Sequence, residues 1–212
     1  MGIRYRPIEK KDYAAVGELL DQSFGLHRYM ADAKALACLR KQYVYSCLAE
    51  ATYTCVAEKE DRVIGVIMGN AKTDYRLLPH LPHLLRMVWQ ELQMIWFRRK
   101  EADGIRDFHQ LHRIYRQLSE QHKGEFDGVL TLFAVEESCR GEGLGKALLS
   151  GLLAYLRQHG TKQIYLYTDT TCNYGFYEYQ GFVRLGAHSL SLSRDGRPTQ
   201  MDVFLYGYSV GS

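Results

Sequence analysis

The sequence has few cysteines and lacks any long apolar run. Its five cysteines are odd in number and show no paired Cys-x-x-Cys spacing, which argues against a disulfide framework and against a structural zinc site. No segment is apolar for the roughly 18 residues that a membrane-spanning helix requires, and residues 1–6 lack the apolar core of a signal peptide. We therefore expect a cytoplasmic protein with reduced cysteines and no membrane partner.

A large excess of charge of one sign is also missing. The 27 basic and 24 acidic residues leave a net charge of +3, which is too small to predict a nucleic-acid partner. Residues 76–122 carry eight Lys/Arg against five acids, so the remainder of the chain is neutral overall. The sequence shows no internal repeat, and its 212 residues suit one domain, 1–212, with a helical insertion at about 76–122.

Hydrophobic periodicity predicts a mixed order of helices and strands in the first half of the chain. A short strand at 3–7 precedes a helix that ends at Gly25 and a second helix over 31–50. Strands at 52–58 and 62–69 then form an antiparallel hairpin.

The insertion is helical in pattern and broken at Asp103-Gly104, which predicts a helical hairpin. Its apolar stripe, Leu81–Trp96, would suit a membrane surface or a partner interface, but we expect it to pack against the sheet or the second inserted helix. The chain ends in strands near 182–192 and 201–208, joined by a turn at Asp195-Gly196.

An apolar strand at 129–135 is followed by three alternating glycines and an amphipathic helix. The first amides of a helix have no intrahelical partner and lie at the positive end of its dipole, so they can bind a phosphate that no side chain blocks. Gly141, Gly143 and Gly145 remove those side chains, and Lys146 becomes favourable beside a polyphosphate. The stretch therefore predicts a phosphate-bearing ligand, and a plain tight turn is the alternative.

The residues of this loop match a known pattern. Arg140-Gly141-Glu142-Gly143-Leu144-Gly145 fits Arg/Gln-x-x-Gly-x-Gly/Ala, and Asn173 precedes a Phe-Tyr-x-x-x-Gly-Phe run over 176–182. With the order of elements, these motifs resemble the GNAT superfamily of acetyl-CoA-dependent N-acetyltransferases over nearly the whole chain except the insertion. The resemblance implies an α+β fold with an α/β-type mixed sheet. That sheet would be mostly antiparallel, with a splayed parallel pair and flanking helices.

The resemblance also implies acetyl-CoA as the cosubstrate and no metal. Amides of the glycine loop would bind the pyrophosphate, and the main chain of Phe133, Ala134 and Val135 would bind the pantetheine and polarise the thioester carbonyl. Asn173 would hold the pantetheine. The implied cofactor-binding residues are Phe133, Ala134, Val135, Arg140, Gly141, Glu142, Gly143, Leu144, Gly145, Lys146, Asn173 and Tyr177.

The resemblance assigns Tyr177 to protonating the departing thiolate. A phenol ionises near pH ~10 and a thiol near ~8.5, so a neutral tyrosine can donate that proton. The strand at 130–135 has no carboxylate, and Asp169 is the first candidate for the base, with Glu136 second. Tyr177 as a core aromatic and Asp169 as a helix cap are the plainer interpretations.

We expect direct acetyl transfer to a primary amine of a small molecule, protein or peptide; a homodimer is left open. Cys139 and Cys172 keep an acyl-cysteine route open. Two other classes remain: a GNAT-fold module that binds coenzyme A without transfer, and a nucleotide-dependent oxidoreductase. The second fits less well because a dinucleotide loop normally opens a series of strand–helix–strand units.

Two His-x-x-His pairs in the insertion, 80/83 and 109/112, are too weak a pattern to predict a metal site.

Overall fold

The structure is a computed structural model that describes residues 2–97, 99–122, 124–194 and 197–211. Its strands are β1 (Arg4–Arg6), β2 (Tyr53–Lys59), β3 (Arg62–Ala71), β4 (Gly128–Val135), β5 (Gln163–Asp169), β6 (Val183–Arg194) and β7 (Arg197–Ser209). Its α-helices are α1 (Tyr13–Phe24), α2 (Ala33–Glu50), α3 (Leu77–Met94), α4 (Ala102–Glu120), α5 (Leu144–Gln158) and α6 (Gly175–Tyr179).

The strands form one sheet in the order β1-β2-β3-β4-β5-β7-β6. Neighbours are antiparallel except β4 and β5, which are parallel and connected through α5. Glu60 and Asp61 both have positive φ, as a two-residue hairpin turn between β2 and β3 requires. The predicted mixed α+β fold is confirmed.

The parallel pair separates soon after it begins. Only Gly128 and Val129 of β4 pair with β5, opposite Ile164 and Tyr165. From there β4 continues beside β3 to Val135, whereas β5 continues beside β7 to Asp169. The two strands therefore part and leave a slot between their carboxyl ends, as the resemblance implied.

Helices cover both faces of the sheet and give it two cores. On one face, side chains of α1, α2 and α4 pack with Val66, Leu132 and Leu205. On the other face, α5 packs with Ile67, Leu130 and similar strand residues. The side chains of the strands thus alternate between two buried layers, as expected for a sheet covered on both faces.

The predicted break in the insertion is in the wrong place. The chain leaves α3 at Met94 and enters α4 at Ala102, so Gly104 lies in the first turn of α4. A Cβ at Gly104 would lie 1.7 Å from the carbonyl oxygen of Tyr29. This glycine is required by close backbone packing, because any side chain would collide with the segment before α2.

The predicted helical hairpin and the predicted packing of the apolar stripe are also wrong. Helix α3 packs mainly along α2, whereas α4 packs against β6 and β7. Leu85 and Trp96 of the stripe are 63% and 88% exposed. The cause is the orientation of α3, which turns polar residues such as Gln90 toward α2.

The ends of the first two helices follow local chemistry. Gly25 ends α1 in the left-handed conformation at φ 64°, which confirms the predicted stop. The Asp32 carboxylate accepts from the amides of Lys34 and Ala35, so α2 begins at Ala33 rather than at residue 31. The predicted turn at Asp195-Gly196 lies outside the described residues. Among those described, no helix is long and apolar enough to cross a bilayer.

Candidate active site

The loop between β4 and α5 forms an open cradle of backbone amides. Gly141 and Gly143 have φ of 85° and 80°, in the left-handed region where glycine is favoured. A Cβ built on either residue would meet no atom of the described chain within 4 Å. Helix α5 lies wholly within the described residues, and its first turn contains no acidic residue that would repel an anion. The space beside the loop is therefore open at the positive end of the helix, which fits a phosphate group.

The third glycine has a different physical reason. A Cβ on Gly145 would lie 3.3 Å from the ring of Phe133 and 3.4 Å from that of Phe176. Both distances are tight, so glycine lets the start of α5 approach the aromatic rings at the end of β4. The loop thus joins the amide cradle directly to the slot.

The side chains of the loop are directed to solvent. Arg140, Glu142 and Lys146 are exposed, whereas Leu144 is buried in the core under α5. None of the three charged side chains forms an ion pair within the described residues. The cradle therefore carries two free cationic groups beside its amides, a composition that suits a polyanion.

The slot is bounded on one side by the last residues of β4. Phe133, Ala134 and Val135 pair with β3 on one edge. Their other edge faces the slot, because β5 has already separated from β4 at this level. Within the described residues the main-chain groups on this edge have no strand partner, so they are available to a ligand.

Tyr177 lies across the slot from Phe133. The two rings are 6.3 Å apart between centroids, and the ring of Tyr177 also packs with Phe182 and Tyr206 at 5.6 and 6.2 Å. Its side chain is buried, which raises the pKa of the phenol well above its ordinary value. Within the described part of the chain its hydroxyl has no hydrogen-bond partner. A neutral donor therefore lies beside the slot, next to the aromatic rings that contact Gly145.

Asp169 lies at the end of β5 and holds the turn that follows. It is 8% exposed, and its Oδ1 accepts from the amide of Thr171 at 2.7 Å and from the Thr171 hydroxyl. It does not cap α6, whose N-cap is Tyr174. Asn173 is exposed and makes no side-chain capping bond to α6, which is described throughout. Asp169 thus stabilises the turn after β5 through Thr171, while the side chain of Asn173 remains available to a ligand.

Sequence analysis missed the aromatic side chains around Asp169. Burial raises the pKa of Tyr43 and Tyr115, and the nearby Asp169 carboxylate adds to both shifts. Tyr115 stacks on Tyr167 with ring centroids 4.4 Å apart. These tyrosines come from α2, α4 and β5, so no local motif groups them. The insertion supplies one of them, Tyr115, so α4 lies close to Asp169.

The other residues considered for catalysis, Glu136 and the cysteines, are less suited to a catalytic role. Glu136 accepts from Arg62 at 3.3 Å and from Ser138 at 3.1 Å on the surface beside the cradle. Burial, with a smaller contribution from Asp169, raises the pKa of Cys172 to about 12, so its thiol is a poor nucleophile at neutral pH. All five cysteines are free.

One histidine of each pair in the insertion is hydrogen-bonded to the main chain. His80 donates through Nδ1 to the Leu48 carbonyl at 3.1 Å, and His112 donates in the same way to Phe108 at 2.9 Å. A search of the described residues finds no cluster of three His, Cys, Asp or Glu suited to a metal ion.

Comparison with known proteins identifies the family of this chain. Residues 14–182 match the sequence profile of the acetyltransferase (GNAT) family. The chain belongs to the GNAT family of acetyltransferases. Because this family is established, the oxidoreductase alternative is set aside.

Individual relatives are more distant. A stretch of 64 residues is 42% identical to the mycothiol acetyltransferase of Salinispora tropica, but it covers 29% of this chain and 21% of that protein. The crystal structure of SsHAT aligns over all of both chains with a TM-score of 0.63 at 16% identity. The structure of yncA, a putative acetyltransferase from Salmonella typhimurium with its cofactor acetyl-CoA, aligns over all of this chain and 96% of its own, with a TM-score of 0.56 at 15% identity. These structural matches support the GNAT fold.

Proposed function

We propose that this chain is an acetyl-CoA-dependent N-acetyltransferase that transfers the acetyl group directly to a primary amine in the cytoplasm. One observation carries the proposal: the open amide cradle, the split between β4 and β5, and the neutral phenol of Tyr177 form one continuous site.

The cofactor side is supported by the geometry of the loop. The amides of Gly141, Gly143 and Gly145 would bind the pyrophosphate, with Arg140 and Lys146 beside it. The main-chain edge of 133–135 would hold the pantetheine, as the added strand of a sheet is held. The thioester supplies an activated acetyl group. The same edge would then donate hydrogen bonds where negative charge develops on the carbonyl oxygen.

Two groups would handle the protons. Tyr177 would give its proton to the sulfur that leaves, and burial keeps that proton in place at neutral pH. Asp169, first among the candidates for the base, would take the proton of the attacking amine through a water molecule. Its bond to Thr171 uses Oδ1, so Oδ2 is the oxygen free for this role.

The acceptor would enter from the side of the tyrosines. Tyr43, Tyr115 and Tyr167 surround the region of Asp169 with aromatic rings and hydroxyls. A carboxylate among aromatic rings suits a protonated amine, because both the charge and the ring faces attract a cation.

Thiol release from acetyl-CoA across a panel of amines tests the proposal, with mass spectrometry to identify the acetylated product. We expect release that depends on one class of amine, with the acetyl group found on its nitrogen. Tight binding of coenzyme A without release from any amine would instead favour a binding module. Release that persists without an amine and leaves an acetylated Cys172 would favour a covalent route.

A further inference from the structure

Helix α3 turns most of its large apolar side chains to solvent, and its two buried residues are Met94 and the polar Gln90. Trp96, Leu78 and Leu85 are 88%, 82% and 63% exposed. In contrast, Gln90 is buried, and its Oε1 accepts from the Cys38 thiol at 3.4 Å. Surface helices of globular proteins normally show the opposite arrangement. The sequence of α3 is therefore adapted to something that covers its outer side.

The exposed side chains recur every three or four residues, so they lie along one side of the helix and its short continuation. We call them the α3 face, and its members are Leu77, Leu78, Leu81, Leu85, Val88, Trp89, Leu92, Ile95 and Trp96. Its area, on the order of 1,000 Å², exceeds the roughly 300–600 Å² of the largest apolar patch on a typical monomer. A patch of this size marks an interaction surface.

The charges beside the α3 face indicate what covers it. Arg76 precedes the helix, Arg86 flanks it, and Arg99 with Lys100 follow it, all exposed to solvent. Glu91 is the one acid in residues 76–100. Basic residues around a row of leucines and tryptophans suit an anionic lipid surface, where tryptophan rings favour the boundary between headgroups and acyl chains.

A second copy of the chain would meet an unfavourable arrangement. In a two-fold symmetric dimer the same patch of both subunits is in contact, so the basic residues at the edges of one patch would be brought toward those of the other. Like charges placed together oppose association. An anionic bilayer attracts the same residues.

We infer that the α3 face binds the surface of an anionic membrane, with α3 lying parallel to it. This contact requires no membrane-spanning helix, and none is found among the described residues. From the sequence, a membrane surface was the alternative for this stripe and burial was expected, but the exposure of Trp96 contradicts burial.

The chain carries its own probe for this contact. Its two tryptophans, Trp89 and Trp96, both belong to the α3 face, so intrinsic tryptophan emission reports on this surface alone. The full-length protein is titrated with vesicles of phosphatidylcholine and with vesicles of equal parts phosphatidylcholine and phosphatidylglycerol. We expect a blue shift and co-sedimentation with the mixed vesicles, both weakened by salt because salt screens the headgroup attraction.

Matched variants distinguish vesicle binding through the α3 face from vesicle binding through any exposed apolar side chain. Leu85 and Val183 are each 63% exposed, but Val183 lies on β6. We expect Leu85→Glu to lower the partition coefficient into mixed vesicles by about 10-fold or more, because it removes apolar burial and adds an anion. Val183→Glu should leave it nearly unchanged. Arg86→Gln should lower it by roughly 5-fold.

Three results would overturn the inference. One is emission that mixed vesicles leave unchanged. Another is an equal response to neutral vesicles that salt does not alter. The third is a blue shift that depends on protein concentration without vesicles, with a dimer at sedimentation equilibrium that Leu85→Glu dissociates, since this would assign the α3 face to a second copy.

Discussion

Replacing Gly143 by alanine tests whether the cradle binds phosphate, and Gly160 provides a matched control. Both glycines have left-handed φ, 80° and 72°, and a Cβ on either would meet no described atom within 4 Å. Gly143 lies at the start of α5 and Gly160 follows its end. The two substitutions thus impose the same backbone strain at opposite ends of one helix.

The expected magnitudes differ only in ligand binding. An L-residue in the left-handed region costs roughly 1–2 kcal/mol, partly offset by about 0.4–1 kcal/mol from a less flexible unfolded chain. Each variant should therefore lose on the order of 1 kcal/mol in free energy of unfolding. At Gly143 the new methyl group would also extend into the open space beside the proposed phosphate site. Loss of one charge-assisted hydrogen bond, about 1.5–3 kcal/mol, would weaken coenzyme A binding by roughly 10- to 100-fold.

Isothermal titration with coenzyme A and chemical denaturation measure the two quantities on the same samples. We expect equal losses of stability and a higher Kd for Gly143→Ala alone. Equal Kd values for the two variants would refute the phosphate-binding role of the cradle. A higher Kd for Gly160→Ala as well would show that stability of α5, rather than the cradle, controls binding.

Two further predictions concern the framework around the site. Gly104→Ala should destabilise the protein by at least about 3 kcal/mol in chemical denaturation, because its Cβ would collide with the Tyr29 backbone at 1.7 Å. The control is Gly17→Ala in α1, where a Cβ meets Arg40 at 3.4 Å, and this substitution should cost no stability. Equal stabilities would refute the close packing of α4. Arg6 donates to both carboxylate oxygens of buried Asp12 and thereby lowers its pKa, so the stabilisation from Asp12 should be present above pH ~4 and lost as pH falls through the folded pKa. Asp12→Asn should lower the free energy of unfolding by at least about 2 kcal/mol near neutral pH and flatten this acid dependence. The control is Asp103→Asn, in an exposed pair with Arg106, which should change little. Unfolding curves between pH 3 and 7 that coincide for both variants would contradict the role of Asp12.

The sequence was sufficient to predict the loop between β4 and α5, because the signals for it are local. The glycines before α5 and the strand before them determine a loop whose geometry follows from φ and helix polarity alone. The stop of α1 at Gly25 and the turn between β2 and β3 are local in the same way. Each depends on residues within a few positions of one another.

The helices of the insertion were predicted, but their packing could not be, because it depends on tertiary contacts. Glycine normally weakens a helix, so the sequence predicts a break at Gly104. Only the contact of Gly104 with the Tyr29 backbone shows why a glycine lies inside α4. An apolar stripe on α3 predicts burial, and only its packing along α2 shows that the stripe faces outward. The tyrosines around Asp169 come from three separate elements, so their grouping depends on the fold.

The effect of Tyr177→Phe on turnover, measured beside the Kd for acetyl-CoA, tests the proposed chemistry most directly. The substitution keeps the ring that packs with Phe133 and Phe182 and removes only the hydroxyl. We expect kcat for acetylation of the amine found in the panel to fall by about 100-fold or more, with Kd and stability unchanged. An unchanged kcat, or weaker binding with the same kcat, would contradict the role of Tyr177 as the proton donor to the leaving thiolate.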